Sequence, residues 1–198
     1  CLRLQGRPVL VVGGGDVATA LVDALVAAGA RVTVVACGFT ASLSRNPDIT
    51  RHQRAYRSGD VSGHAVVFVA TDDEGVTRAV TDEARQRGIL VNAADVPALC
   101  DFTLPSVGRR GPITVAVSTD GRAPAVAALL RRALMDRVTR RHVALVRLIA
   151  WLRQRLPSGP RRMRLLKEVA TGSAGKAVLE GNTRAAMDRV RALVGGAT

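Results

Sequence analysis

At 198 residues the chain is long enough for one core of ordinary size plus an appendage, and its 47% apolar content fits a soluble globular class. No apolar run reaches the roughly 18 residues of a membrane span; the nearest, Val9 to Val35, is interrupted by glycines and by Asp16, Asp23 and Arg31. The net charge of +13 is unevenly placed: residues 1–112 hold 12 Arg against 11 acids, whereas residues 113–198 hold 17 Lys or Arg against five acids.

That second part is a solvated Arg-rich surface or a face for polyanions: nucleic acid, anionic lipid or a polycarboxylate. Cys1, Cys37 and Cys100 are widely spaced and odd in number, which suggests neither a disulfide framework nor a metal knuckle. His52, His64 and His142 form no ligand-like spacing, so no metal site is expected. With Cys1 first and no signal-peptide pattern, the chain reads as cytoplasmic, with its true start upstream.

Val9 to Val12 is a short apolar run ending in three glycines, as in a central parallel strand. Val17 to Ala28 places apolar residues at helical spacing and stops at Gly29. Arg31 to Ala36 is a β-branched run. His64 to Ala70 reads as a further buried strand, and residues 71–88 as a helix with acids early and Arg late, as the helix dipole prefers. Ile89 to Ala94 is the next strand. This alternation predicts a Rossmann-type parallel sheet covered on both faces.

The rhythm then breaks. Phe102 to Leu104 and Ile113 to Ser118 read as short strands, with a turn at Arg109-Arg110-Gly111-Pro112 between them. Pro124 opens a helix near Ala125 to Val138. From Arg140 onward the pattern is wholly helical, with a segment through Trp151 to Leu156 and others at Arg161 to Val169 and Asn182 to Val194. The expected fold class is α/β: a Rossmann domain over residues 1–111, a small α+β region over 112–138 and a helical domain over 139–198.

Gly13-Gly14-Gly15-Asp16-Val17-Ala18 follows a strand and opens a helix, the context in which G-x-G-x-x-A binds a dinucleotide. The first glycine permits the turn, Gly15 lets a pyrophosphate approach the helix N-terminus, and Ala18 allows close packing. The second strand, however, ends in Ala36, Cys37 and Gly38, with neither an acid for a ribose hydroxyl nor an Arg for a 2′-phosphate. Backbone groups around Cys37 and Gly38 must then hold the ribose, and the lean is to NAD. Thr71-Asp72-Asp73 reads as a helix cap, with Thr71 close to the cofactor. Asp95, in NAADVPAL just past a strand end, is either a general base or an ordinary turn residue. Ser118 to Pro124 is either a carboxylate cradle, with Arg122 as clamp, or a capped helix start.

Together the segments GRPVLVVGGGDVA, AGARVTVVA, ATDDEGV, GILVNAADVPALCDFTLPS and RRGPITVAVSTDGRAPAVAALLRRAL resemble the precorrin-2 dehydrogenase family, including the amino-terminal module of sirohaem synthases. The resemblance implies NAD as hydride acceptor from precorrin-2, a polycarboxylate tetrapyrrole, giving sirohydrochlorin. Some members also insert Fe²⁺, so ferrochelation is an optional second activity. It makes Asp95 the catalytic base, places cofactor contacts at Gly15-Asp16-Val17 and Cys37-Gly38, and assigns Asn92, Ser118, Thr119 and Arg122 to substrate. Pro112 to Leu134 corresponds to the family's dimerisation region, implying a homodimer with no nucleic-acid or membrane partner. Departures are Ala18-Thr19-Ala20, where basic residues are frequent, Asp120 in place of a small residue, and Ala123 in place of Ser. The chain is too short for a methyltransferase module of its own. The alternatives are an NAD-sensing regulatory module without catalysis, and a nucleic-acid binder, against which the lack of interleaved aromatics in the basic part argues.

Overall fold

Successive side chains in a strand point to opposite faces, and in Val9 to Val12 both sets are buried. Such a strand must lie between two helical layers. The computed structural model, which describes residues 2–195 and so leaves Cys1 outside the described residues, places it at the centre of a five-stranded sheet. The order of elements is β1 (Pro8–Val12), α1 (Asp16–Ala27), β2 (Arg31–Ala36), α2 (Ala41–Arg45), β3 (Ile49–Gln53), β4 (Val66–Val69), α3 (Glu74–Gln86) and β5 (Leu90–Ala93), followed by a 3₁₀ turn at Pro97–Leu99. All pairings are parallel, in the order β3-β2-β1-β4-β5.

Val9, Val11, Val32, Val34, Val66 and Phe68 face one side of the sheet, against Ala18, Val22 and Leu25 of α1. Leu10, Val12, Val35, Val67, Val69 and Val91 face the other, with Val80 and Ala84 of α3. Each fully buried aliphatic side chain contributes on the order of 2 kcal/mol. Two threonines on the buried face of α3 return their hydroxyls to the helix itself, Thr77 to Asp73 O at 2.9 Å and Thr81 to Thr77 O at 2.8 Å, so neither donor is stranded.

A second compact unit begins at Leu104. It contains β6 (Ser106–Arg110), β7 (Ile113–Val117), α4 (Pro124–Arg137), α5 (Arg140–Arg155), α6 (Pro160–Thr171), α7 (Ser173–Glu180) and α8 (Thr183–Gly195). The hairpin pairs Arg110 with Ile113, leaving a two-residue turn at Gly111-Pro112, with Gly111 at φ +57° as such turns require. Leu152, Leu166, Val169, Ala174 and Val190 form the core of the helices.

Several expectations are corrected. Phe102 to Leu104 is not a strand, because the tight turn fixes the register and selects residues 106–110 as the partner of β7. Arg109 and Arg110 therefore lie in β6 rather than in the turn. The expected boundary at 111/112 falls at the hairpin tip, where the ladder keeps both strands together, and the division lies between Thr103 and Leu104. Residues 112–138 and 139–198 share one unit. Counted by unit, residues 1–103 hold 10 Arg against 11 acids, near −1, and residues 104–198 hold 19 Lys or Arg against 5 acids, near +14.

Candidate functional site

The chain leaves β1 for β2 on one side and returns through β4 on the other, so the strand order reverses beside β1. Open α/β sheets bind ligands in the crevice this creates at the carboxyl ends of the strands. A cleft of about 490 Å³ lies there, lined by Gly15, Asp16 and Val17 after β1, Ala70, Thr71 and Asp72 after β4, and Ala94, Asp95, Val96 and Leu99 after β5. Glu74, Thr77 and Arg78 of α3 complete its wall.

The three glycines after β1 do three different things. Gly13 has φ +129°, and a Cβ built on it would lie 1.9 Å from the Ala70 carbonyl oxygen, so its hydrogen is what lets the turn pass β4. Gly14 would meet the Gly38 carbonyl oxygen at 1.9 Å. That contact, with the Thr40 amide donating to Gly14 O at 2.9 Å, docks the segment after β2 against the glycine turn. A Cβ on Gly15 would meet nothing within 4 Å. Gly15 is also the N-cap of α1 and supplies no side-chain cap, so the first amides of the helix remain available to an anion. Cys37 and Gly38 are exposed beside this turn but outside the lining of the cleft, as are Gly13 and Gly14.

Thr71 lines the cleft, and its hydroxyl accepts from the Asp73 amide at 3.3 Å. Asp73 is the cap of α3, its carboxylate accepting from the Val76 amide at 3.0 Å.

Asp95 is exposed on the cleft wall with φ +60°, a left-handed conformation for a residue with a side chain. Its loop is tied at the base. The Asp101 amide donates to Val91 O, and the Asp101 carboxylate accepts from the Val91 amide, both at 2.9 Å. Arg85 of α3 holds the same carboxylate at 3.2 Å. Phe102 stacks edge-on against Phe68 with centroids 5.6 Å apart.

Asn92 was expected at the substrate. It is nearly buried, does not line the cleft, and donates its amide to Phe102 O at 2.7 Å, so its amide supports the loop. Cys100 and Asp101 escape sequence reasoning, although a thiol and a carboxylate beside Phe102 at the far end of a strand-edge loop were the available signal. Arg78 also escapes it, standing four residues after Glu74 on an exposed helix face and pairing with it at 3.9 Å.

In the second unit, the Ser118 hydroxyl accepts from the Asp120 amide at 3.1 Å and the Thr119 hydroxyl from the Ala123 amide at 3.1 Å. Asp120, like Asp95, is left-handed, at φ +59°. Both hydroxyls thus cap the turn before α4. Arg122 closes the same turn through its backbone, the amide donating to Thr119 O at 3.0 Å, while its side chain is exposed. Among the described residues no group of three His, Cys, Asp or Glu side chains converges as a metal site would require.

Shifted titrations lie outside the lining of the cleft, on the β3–β4 connection and at Glu83 of α3. Arg54 hydrogen-bonds Asp60, at 2.7 Å, and holds its carboxyl below the usual range. Burial opposes ionisation of Glu83, but the Tyr56 hydroxyl, the Gly59 amide and Arg87 outweigh it and bring the carboxyl below its ordinary value. Burial, and then the bond to Glu83, push the Tyr56 phenol up.

Residues 1–106 match the model of a family described as "Putative NAD(P)-binding", and residues 110–136 match that of "Sirohaem biosynthesis protein central". A siroheme synthase of Methylobacillus flagellatus is 36% identical over 98% of this chain and 43% of its own length. A siroheme synthase of Methylococcus capsulatus is 37% identical over 91% of this chain and 40% of its own. The chain therefore spans less than half the length of these curated relatives. A solved structure titled SirC, precorrin-2 dehydrogenase, superposes with a TM-score of 0.76 at 25% identity, covering 96% of this chain and 97% of that one. Along its length the chain is thus similar to part of the siroheme synthases, and it belongs to the family described as putative NAD(P)-binding.

Proposed function

We propose that the chain oxidises precorrin-2 to sirohydrochlorin, with NAD⁺ as oxidant and Asp95 as general base. The observation that carries this reading is the meeting, in one cleft, of the uncapped N-terminus of α1 at Gly15 with the Asp95 carboxylate. The open space beyond Gly15 and the free first-turn amides of α1 suit a dinucleotide pyrophosphate. When bound, NAD⁺ accepts the hydride that leaves the macrocycle. The proton lost with it goes to the Asp95 carboxylate, so substrate loses two hydrogens and the products are NADH and a protonated base. Thr71 and the peptide groups at Cys37 and Gly38 orient the cofactor. Ser118, Thr119 and Arg122 serve the substrate carboxylates, with Arg122 offering a bidentate guanidinium.

A homodimer belongs to the same reading. On α4, Ala127, Arg131 and Met135 fall at helical spacing on the hairpin side, where Arg131 reaches the Ser106 hydroxyl at 3.0 Å. Val126, Leu129, Leu130 and Leu134 face outward, 48%, 62%, 47% and 50% exposed. A stripe of that kind supports burial against a second copy. Among the described residues no helix is long and apolar enough to cross a membrane, and the reading assigns the cytoplasm. Fe²⁺ enters as a substrate of the optional chelation, with Asp95 as proton acceptor. NADH formation, followed by absorbance when the protein meets NAD⁺ and precorrin-2, tests the dehydrogenase. Absence of turnover in the native protein would overturn it. Spectra of sirohydrochlorin with Fe²⁺ or Co²⁺ test chelation.

A further inference from the structure

A left-handed backbone is sparsely populated by residues with a Cβ, so the turn that presents Asp95 at φ +60° is held by its surroundings. Backbone bonds hold mainly its flanks: the Ala94 amide reaches Val69 O at 2.8 Å, the Leu99 amide Val96 O at 3.0 Å and the Cys100 amide Pro97 O at 3.1 Å, while across Ala94-Asp95 itself the Val96 amide closes on Ala93 O at a long 3.3 Å. The remaining ties come from side chains. The Cys100 thiol lies 3.0 Å from Ala93 O and 3.5 Å from Val96 O, the two carbonyls that bracket Ala94-Asp95. The Asn92 amide, anchored on Phe102 O at 2.7 Å, approaches Cys100 Sγ at 3.6 Å. With Sγ accepting from Asn92, its one proton is directed at the carbonyls across the turn.

We infer that Cys100 and Asn92 are positioning residues for Asp95. They form a relay, amide to thiol to carbonyl, that clamps both ends of the turn and holds the carboxylate on the cleft wall. A cysteine serving only to fill space would carry no oriented contacts; this one is half-buried and has a polar partner on each side. Without the thiol only the long Val96–Ala93 bond spans Ala94-Asp95, and Asp95 relaxes towards extended φ and away from the cleft. The inference rests on Asp95 acting as base, and the test separates the two ideas by including a readout that needs no turnover.

Cys100→Ala, Cys100→Ser and Asp95→Asn are compared with the native protein by hydrogen exchange over residues 93–99, by NAD⁺ affinity and by kcat against KM. In Cys100→Ala, exchange across the turn rises about tenfold or more while peptides from β1 and β4 are unchanged. Its kcat falls about tenfold with KM for NAD⁺ unaltered. Cys100→Ser, which retains a donor, recovers most of both. Exchange in Cys100→Ala within twofold of native, or a serine variant no better than alanine, overturns the inference. Native protein without turnover sinks the dehydrogenase reading alone, and exchange still decides whether the clamp exists.

Discussion

Alanine placed at each glycine of the β1–α1 turn separates packing from ligand approach. At Gly14 a Cβ would lie 1.9 Å from Gly38 O and 3.0 Å from the Ala36 Cβ. A relaxed contact needs about 3.5 Å, so the segment after β2 must retreat by roughly 1.5 Å and stretch the Thr40–Gly14 hydrogen bond. Overpacking of this size costs about 1–3 kcal/mol, equivalent to some 4–8 °C in Tm per kcal/mol for a unit of about 100 residues. Gly13→Ala adds backbone strain at φ +129° to a 1.9 Å overlap with Ala70 O, and is expected to be the worse of the two. Gly15→Ala meets no protein atom within 4 Å. It forfeits only the N-cap preference of glycine over alanine, about 1 kcal/mol at most, yet puts a methyl group where a pyrophosphate must approach the first amides of α1. The expected pattern is a Tm drop of about 10 °C or more for Gly13→Ala and Gly14→Ala. Gly15→Ala should instead keep near-native Tm and lose tenfold or more in NAD⁺ affinity by titration calorimetry. Native-like NAD⁺ affinity in a folded Gly15→Ala protein would refute the assignment of that glycine to the ligand.

Asp95→Asn keeps size and removes the base, so turnover should fall about 10²–10⁴-fold with NAD⁺ affinity within twofold; an unchanged rate would remove Asp95 from the chemistry. Asp60 and Glu83 have folded pKa values below their unfolded ones. Their contribution is therefore complete above about pH 4–5 and is lost as pH falls through the lower folded values. Urea midpoints measured from pH 6 downward should decline in the native protein and decline less in Glu83→Gln; equal slopes would refute the linkage. Leu129→Glu with Leu134→Glu places two charges on the outward stripe of α4, and sedimentation should show a monomer for the variant against the dimer proposed for the native protein; a native monomer would remove the dimer from the reading.

The parallel sheet was legible because its strands are continuous apolar runs and its helices carry a regular buried face. Where that signal is weak, reading fails. β3, Ile49–Gln53, is an edge strand with four of its five residues exposed, and its sequence ITRHQ carries no apolar pattern. α7, Ser173–Glu180, is eight residues long between Gly172 and Gly181, too short for its helical spacing to single it out within the helical part. Gly15, Thr71 and Asp95, which line the cleft, were legible as strand-end positions because strand ends are local features. The surroundings of Asn92 were hidden for a related reason: it lies in β5, and only the return of the chain at Phe102 shows where its amide goes. The separate duties of the three glycines were likewise hidden, since they depend on Ala70 and Gly38, residues distant in sequence.

Charge distribution gives the missing acid after β2 a physical reason. The cleft wall already holds Asp16, Asp72, Glu74 and Asp95 against Arg78 alone, and Arg78 is paired with Glu74. A further carboxylate at position 37 or 38 would add negative charge beside a ligand that brings its own pyrophosphate. The proposed contact with the ribose through peptide groups avoids that repulsion, and the docking of the Gly38 carbonyl against Gly14 fixes where those groups lie. The same arithmetic bears on the polycarboxylate substrate of the proposed reaction. A cleft wall with this excess of acids attracts no such molecule at long range, whereas the second unit, near +14, does. In the proposed reaction the oxidising step draws on the amides and carboxylate of a first unit near −1, and attraction of a polycarboxylate on the arginines of a second near +14.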